Sequence, residues 1–218
     1  MQFLFIYDII ILNITNLKGF VFMYIFDISR DVFKTDVYPG DPLPEFEWIT
    51  KIDYGEEYNL SYFKMCTHTG THIDAPAHYI KGGATIDQIP LSQFYGDCSV
   101  VTIKGLLTGE DMDVLLPFCK KKLLLRGLGK AFLTPSAAYV LADSHIDLIG
   151  IDALSICSAD DDYTVHKTLL SNDVIILEGL NLDDIADGNY KLSAFPLKLD
   201  GLEAAPVRAI LLKQELGI

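Results

Sequence analysis

From Tyr24 onward, short apolar runs alternate with short amphipathic segments. Tyr24–Ile28 predicts a strand, and a turn-rich loop follows it at Tyr38-Pro39-Gly40-Asp41-Pro42. Asn59–Cys66 is rich in aromatics and predicts a second strand. Ser99–Ile103, Lys122–Leu125, Ile146–Ile151, Val174–Leu177 and Pro206–Leu212 are β-branched or leucine-rich runs that predict further strands. Helix signals fall between these runs. Thr108 is a capping residue, with Glu110 and Asp111 near the positive end of the helix it opens. Thr134-Pro135-Ser136 places a cap at Thr134 and proline at the first helical position. Thr164–Leu170 predicts a third, short helix. Strands alternating with helical segments of about ten residues predict an α/β domain with some parallel pairing. The chain carries no internal repeat and no low-complexity tract.

The first 22 residues differ from the rest. They are apolar, but no positive charge precedes the apolar run, Asp8 interrupts it, and no small-x-small cleavage site follows. The longest uninterrupted stretch, Ile9–Leu12, is far below the roughly 20 residues a membrane span needs. We expect this extension to lie outside the functional domain, which runs from 23 to 218. A related expectation is that translation starts at Met23, and the intact mass of the native protein decides it.

Composition narrows the partners. Half of the 218 residues are hydrophobic and only 22% are charged, so the chain buries a core unaided and is not disordered. A net charge of −13, with 17 scattered Lys and Arg, argues against nucleic acid and against an anionic membrane face. Cys66, Cys98, Cys119 and Cys157 form no CxxC pair, so they read as buried thiols in a reducing, cytoplasmic compartment.

The chemistry concentrates in one segment, His68-Thr69-Gly70-Thr71-His72-Ile73-Asp74-Ala75-Pro76-Ala77-His78. Three of the chain's 5 histidines lie here, where chance would put about a quarter of one. Imidazoles with a carboxylate between them are donors for Zn²⁺ or Mn²⁺. In an extended chain His68 and Asp74 would stand about 20 Å apart, too far to share an ion. The backbone must therefore curl, and Gly70 and Pro76 are the residues that allow it. The competing reading is three histidines satisfied by core hydrogen bonds beside a turn.

This segment resembles the signature of the cyclase family of metal-dependent hydrolases, H-x-G-T-H-x-D-x-P-x-H, a family that includes bacterial kynurenine formamidase and isatin hydrolase. The continuation His78–Leu91 is similar to the family as well. So are Asp27-Ile28-Ser29, Tyr38-Pro39-Gly40-Asp41, Gly150–Ser155 and Glu178–Leu182, and the resemblance spans about residues 24–215. It implies a swivelling β/β/α-type single domain with a mixed sheet, and a homodimer or homotetramer. It implies His68, His72 and Asp74 as ligands of a first ion, His166 and Glu178 as a further ligand pair, and His78 as the catalytic histidine. One or two ions, Zn²⁺ or Mn²⁺, are compatible with that set.

Placement agrees with these roles, because Glu178 and Asp152 follow predicted strands, and ligand sites of open α/β sheets lie outside such strand ends. Asp152 either orients a ligand histidine or caps the next turn. His145 reads as a surface loop residue. Cys66 reads as a buried apolar thiol rather than a ligand. An ion with an open position acidifies bound water, and the hydroxide attacks an amide or lactam carbonyl while His78 carries the proton. The lead substrate is N-formyl-L-kynurenine, with Tyr38 stacking on its ring where similar formamidases carry Trp. An isatin-like lactam, a cyclase or lyase reaction, and a non-catalytic metal-binding role are the alternatives. Tyr38 and Trp48 are expected near a pocket at a subunit boundary, although plain packing is the better reading of Trp48.

Overall fold

The computed structural model describes residues 7–13, 20–161 and 163–217. Ten strands form one mixed sheet: β1 (Tyr7–Asn13), β2 (Phe20–Asp27), β5 (His72–Asp74), β6 (Tyr95–Thr102), β8 (Lys122–Arg126), β10 (Leu148–Ile151), β11 (Ile175–Glu178), β12 (Gly188–Ser193), β13 (Ala204–Pro206) and β14 (Ile210–Gly217). A hairpin of β3 (Glu45–Thr50) and β4 (Leu60–Lys64) and a small pair of β7 (Leu106–Leu107) and β9 (Phe132–Leu133) complete the strands. The helices are α1 (Gly109–Leu115), α2 (Pro135–Ala142) and α3 (Thr164–Leu170).

The sheet order is β1-β2-β14-β12-β6-β8-β10-β11-β5-β13. The central four strands, β6-β8-β10-β11, are parallel, and every outer pair is antiparallel. Connectivity forces the sheet to curl. β13 and β14 lie seven places apart in it, about 34 Å if it were flat. Yet only residues 207–209 join them, a link that spans at most about 15 Å.

The central strands are apolar on both faces, as parallel strands covered on both sides must be. Leu123, Leu125, Ile149, Ile151 and Ile176 face the layer that holds α1, α2 and α3. Leu124, Leu148, Ile175 and Leu177 face the inside of the curl, against Ile28, Ile73, Phe94 and Leu211. The helix starts follow their sequence signals. Thr108 makes a capping box with Asp111, and Thr134 accepts from the Ala137 amide with Pro135 in the first turn.

Two sequence readings need correction. The Pro206–Leu212 run is two strands, because Val207 and Ala209 pair with Thr71, Ile28 and Ser29 where the chain crosses between sheet edges. The four thiols are not uniformly buried: Cys98 and Cys157 are, but Cys66 and Cys119 are only half-buried. Beside these, residues 7–13 form a strand that the sequence reading did not include, paired with β2 at the sheet edge. The Ile9–Leu12 run without alternation hides this pairing, and residues 1–6 and 14–19 lie outside the described residues. β3, β5 and β12 are absent from the sequence reading, β5 because three residues hold no period. No helix among the described residues is long and apolar enough to cross a membrane.

Gly179 ties β11 to the curled segment before β5. Its φ is +66°, and a Cβ there would stand 2.2 Å from the Gly70 carbonyl oxygen. Thr71 Oγ1 donates to the Gly179 carbonyl at 2.7 Å, closing the same approach. Gly179→Ala is therefore expected to destabilise the fold by about 2–4 kcal/mol, read as a lower denaturant midpoint. An unchanged midpoint would show that this approach is loose.

Candidate metal centre

β5 is the base of the site. It is pinned between β11 and β13, with Glu178 opposite His72 and Ile176 opposite Asp74. Side chains alternate along a strand, so His72 and Asp74 face one way while Ile73 enters the core inside the curl. Glu178 shares the outward face with them, at the carboxyl end of β11. α3 lies over that face and delivers His166, which is buried.

The curl demanded by the sequence is present. Gly70 has φ +72°, and Pro76–His78 form one 3-10 turn. These two bends bring the ends of the segment together. The His68 ring centroid lies 4.9 Å from that of His72 and 4.2 Å from that of His78.

The distances converge on Asp74. His68 Nδ1 and His72 Nε2 stand 3.0 and 3.4 Å from Asp74 Oδ1, and His166 Nε2 stands 4.0 Å from Oδ2. His72 Nε2 is also 3.5 Å from Glu178 Oε2, and His166 Nε2 is 3.2 Å from Oε1. Two donor groups, His68-Asp74-His78 and His72-Asp74-Glu178, each lie within 4.8 Å. Five of the six metal and catalytic residues expected from sequence thus share contacts around Asp74, and His78 joins them through its ring against His68.

Backbone contacts orient the donors. The Gly70 carbonyl can only accept, so His72 Nδ1 donates to it at 3.0 Å and Nε2 is left free for the cluster. The Ile156 amide donates to Glu178 Oε1 at 2.7 Å. Cys157 Sγ stands 3.5 Å from His166 Nδ1, and Glu203 Oε1 stands 3.3 Å from His68 Nε2. Glu203 also accepts from Thr67 Oγ1 at 2.6 Å.

This arrangement fits a divalent cation. Buried polar atoms normally find hydrogen-bond partners, yet the oxygens of Asp74 and Nε2 of His72 complete no well-directed hydrogen bond and meet the groups around them only as ion pairs at 3.0–4.0 Å. The competing reading, three histidines satisfied by core hydrogen bonds, does not describe these atoms. The donors are imidazole and carboxylate, the set that Zn²⁺ and Mn²⁺ take.

The charges balance internally without an ion. Burial would lower the His72 imidazole, but Glu178 and Asp74 override it and hold it up at about 9. Burial likewise opposes protonation of His166, and Cys157, Glu178 and Asp74 hold it up at about 11. Burial and mutual repulsion would raise the two carboxyls, and the flanking imidazoles keep both below the usual range. His78 differs. Burial first, then His68 and His166, lower it against the pull of Asp74, so it is neutral near pH 7.

The cluster forms the floor of a cleft of about 180 Å³. Tyr38, Tyr79, Leu154, Cys157 and Tyr163 contribute to its walls. Tyr38 therefore lines the same cleft as the donor cluster. Trp48 is not in this cleft; it is 45% exposed on the β3–β4 hairpin, edge-on to Phe46. His145 is exposed, as expected, with Nε2 3.1 Å from the Cys119 carbonyl. Asp152 makes no hydrogen bond or ion pair to a histidine among the described residues; its carboxylate accepts from the Gly127, Leu128 and Gly129 amides of an earlier loop, which is neither of the two expected roles.

Sequence reasoning missed Cys157, Tyr79, Tyr163 and Glu203. Cys157 lies in an irregular loop with no period. Glu203 arrives through the pairing of β13 with β5, which nothing local announces.

Comparison with known proteins places the chain. Residues 26–157 match a family model described as "Putative cyclase". A kynurenine formamidase of Salinibacter ruber (strain DSM 13855 / M31) is 34% identical over 206 residues, covering 87% of this chain and 97% of that protein. A solved structure described as "The Structure Of Potential Metal-Dependent Hydrolase With Cyclase Activity" is 34% identical, with a TM-score of 0.74 over 88% of this chain and 99% of that one. Isatin hydrolase A from Labrenzia aggregata, bound to benzyl benzoate, shares the fold at 22% identity, with a TM-score of 0.75 over 88% of this chain and 94% of that one. The donor cluster at the strand ends of a mixed α/β sheet is a site of the metallohydrolase class. The chain belongs to the cyclase family.

Metal-free protein should show the internal charge balance as a pH dependence. His72 and His166 titrate above the ordinary 6.5, so their contribution is complete below that pH and is lost as pH rises through about 9 and 11. Glu178 titrates below the ordinary 4.5, so its contribution is present above that pH and is lost on acidification. Chelator-treated protein is expected to have its highest Tm between these limits and to lose it on both sides, and Zn²⁺ should flatten the alkaline decline. A Tm that rises from pH 7 to 9 without metal would contradict this balance.

Proposed function

We propose that this chain is a metal-dependent hydrolase of aromatic amides, with N-formyl-L-kynurenine as lead substrate. One observation carries the reading: a buried carboxylate, Asp74, is ringed by three imidazoles and a second carboxylate at the floor of a cleft with tyrosine in its walls. The formamidase relative at 34% identity supports formamide over lactam, since the likeness to isatin hydrolases concerns the fold alone.

In this reading His68, His72, Asp74, His166 and Glu178 hold one or two divalent ions, Zn²⁺ or Mn²⁺. The occurrence of Asp74 in both donor groups supports room for a second ion. A bound ion supplies Lewis acidity toward water and the amide carbonyl. His72, Glu178 and His166 are held in place by the Gly70 carbonyl, the Ile156 amide and Cys157. His78 is neutral near pH 7, so its free nitrogen takes a proton from the attacking water and returns it to the leaving nitrogen. Tyr38 offers a ring face to the aryl group. The exposed Phe46, Trp48, Tyr62 and Phe63 of the β3–β4 hairpin support assembly as a homodimer or homotetramer. Four free cysteines fit a reducing, cytoplasmic location.

A second reading of His78 has its own support, since it falls within a donor group with His68 and Asp74. One variant separates the two. Purified protein loaded with Zn²⁺ or Mn²⁺ should release kynurenine from N-formyl-L-kynurenine, and chelator should abolish the release. His78→Ala should keep its metal and lose about 10²–10⁴-fold in kcat. Loss of metal in that variant would make His78 a ligand, and unchanged turnover would remove it from the reaction. No kynurenine release from the metal-loaded wild type would move the substrate to lactams or other amides. Product without oxygen from labelled water would mark a cyclase or lyase.

A further inference from the structure

Tyr163 stands in a backbone conformation that bulky residues seldom adopt. Its φ and ψ are 68° and 14°, in the left-handed region, where glycine and asparagine are the common occupants. It is also the N-cap of α3, a position where Ser, Thr, Asp or Asn would satisfy a free amide. Its side chain makes no such hydrogen bond. A strained residue that forgoes the usual benefit of its position is held there by something else.

The side chain shows what that is. The Tyr163 ring lies 5.5 Å from the Tyr79 ring at an interplanar angle of 31°. Tyr79 lies in turn 5.0 Å from the imidazole of His166. Lys167 Nζ stands 5.9 Å over the Tyr163 ring. Three tilted rings therefore run in file from the donor cluster outward, and Tyr163, the outermost, is 55% exposed and lines the cleft. Tyr79 is fixed at the other end by the His78 ring, 4.2 Å away.

We propose that Tyr163, stacked on Tyr79, is a specificity-determining residue that selects a planar aryl group over a saturated ring in the cleft beside the donor cluster. This rests on the amide-hydrolase reading only for its turnover readout. An aromatic face attracts a second π-system through quadrupole geometry that a cyclohexane ring of similar size cannot match. The geometry at 163 aims a ring into the cleft, and Lys167 over the Tyr163 ring braces it in that orientation.

The test compares wild type with Tyr163→Asn, Tyr163→Ala and Tyr163→Phe, each loaded with Zn²⁺. Asparagine tolerates the left-handed conformation and can cap α3, so it removes the ring while keeping the backbone. Two readouts are taken: the kcat/KM ratio for formanilide over N-cyclohexylformamide, and the Kd ratio for acetanilide over N-cyclohexylacetamide. Both ratios should fall by roughly tenfold in the Asn and Ala variants, chiefly through KM, and should return with Phe. Ratios unchanged in the Asn variant would overturn the proposal, as would a wild type with no aryl preference in either readout. If neither formamide is hydrolysed but the aryl preference in binding is lost with the ring, the role of Tyr163 stands and the hydrolase reading falls.

Discussion

Everything at this site follows from burying Asp74 beside Glu178. Two carboxylates cannot both stay ionised in a low-dielectric pocket unless positive charge joins them. Imidazolium supplies it when no ion is bound, and a divalent cation supplies it more compactly. The oxygens of Asp74 have imidazole nitrogens at 3.0–4.0 Å yet complete no well-directed hydrogen bond, an arrangement that suits a cation. His72 and Glu178 then take their positions from sheet register, and His166 from the packing of α3.

The fold bears the cost of that burial through rigid connections. β5 is only three residues long, yet it is paired on both sides, by β11 and by β13. The curl of the sheet makes this possible, since it returns the C-terminal strands to the neighbourhood of β5. Gly70, Gly179 and Thr71 close the contact between β11 and the curled segment. The apolar interior of the curl fixes Ile73, which sets the direction of His72 and Asp74 on either side of it. His78 stands apart electrostatically: it belongs to the same cluster but is lowered where His72 and His166 are raised. One neutral imidazole and two charge-balancing imidazoles thus arise from one set of side chains.

Much of this was legible in the sequence, for identifiable reasons. Histidine density around Gly70 and Pro76 carries local information, so the cluster and its curl could be read directly. The parallel strands were readable because both-face burial leaves continuous apolar runs. What the sequence concealed depends on long-range pairing. β13 reaches β5 across more than a hundred residues and brings Glu203 to His68. Asp152 shows the same limit, since only the fold reveals that it accepts from the Gly127–Gly129 loop instead of bonding a histidine. Tyr163 gives no signal either, because its importance lies in a positive φ and a ring partner 84 positions away.

The most direct test of the account is X-ray absorption of Zn²⁺-loaded protein at the zinc edge. The account predicts a shell of nitrogen and oxygen at about 2.0–2.2 Å, with an imidazole signature and no sulfur. Cys157 touches His166 through Nδ1, on the side away from Asp74 and Glu178, so it should stay out of that shell. A sulfur scatterer at about 2.3 Å, or no stoichiometric zinc at all, would contradict the claim that Asp74 is buried to hold a cation.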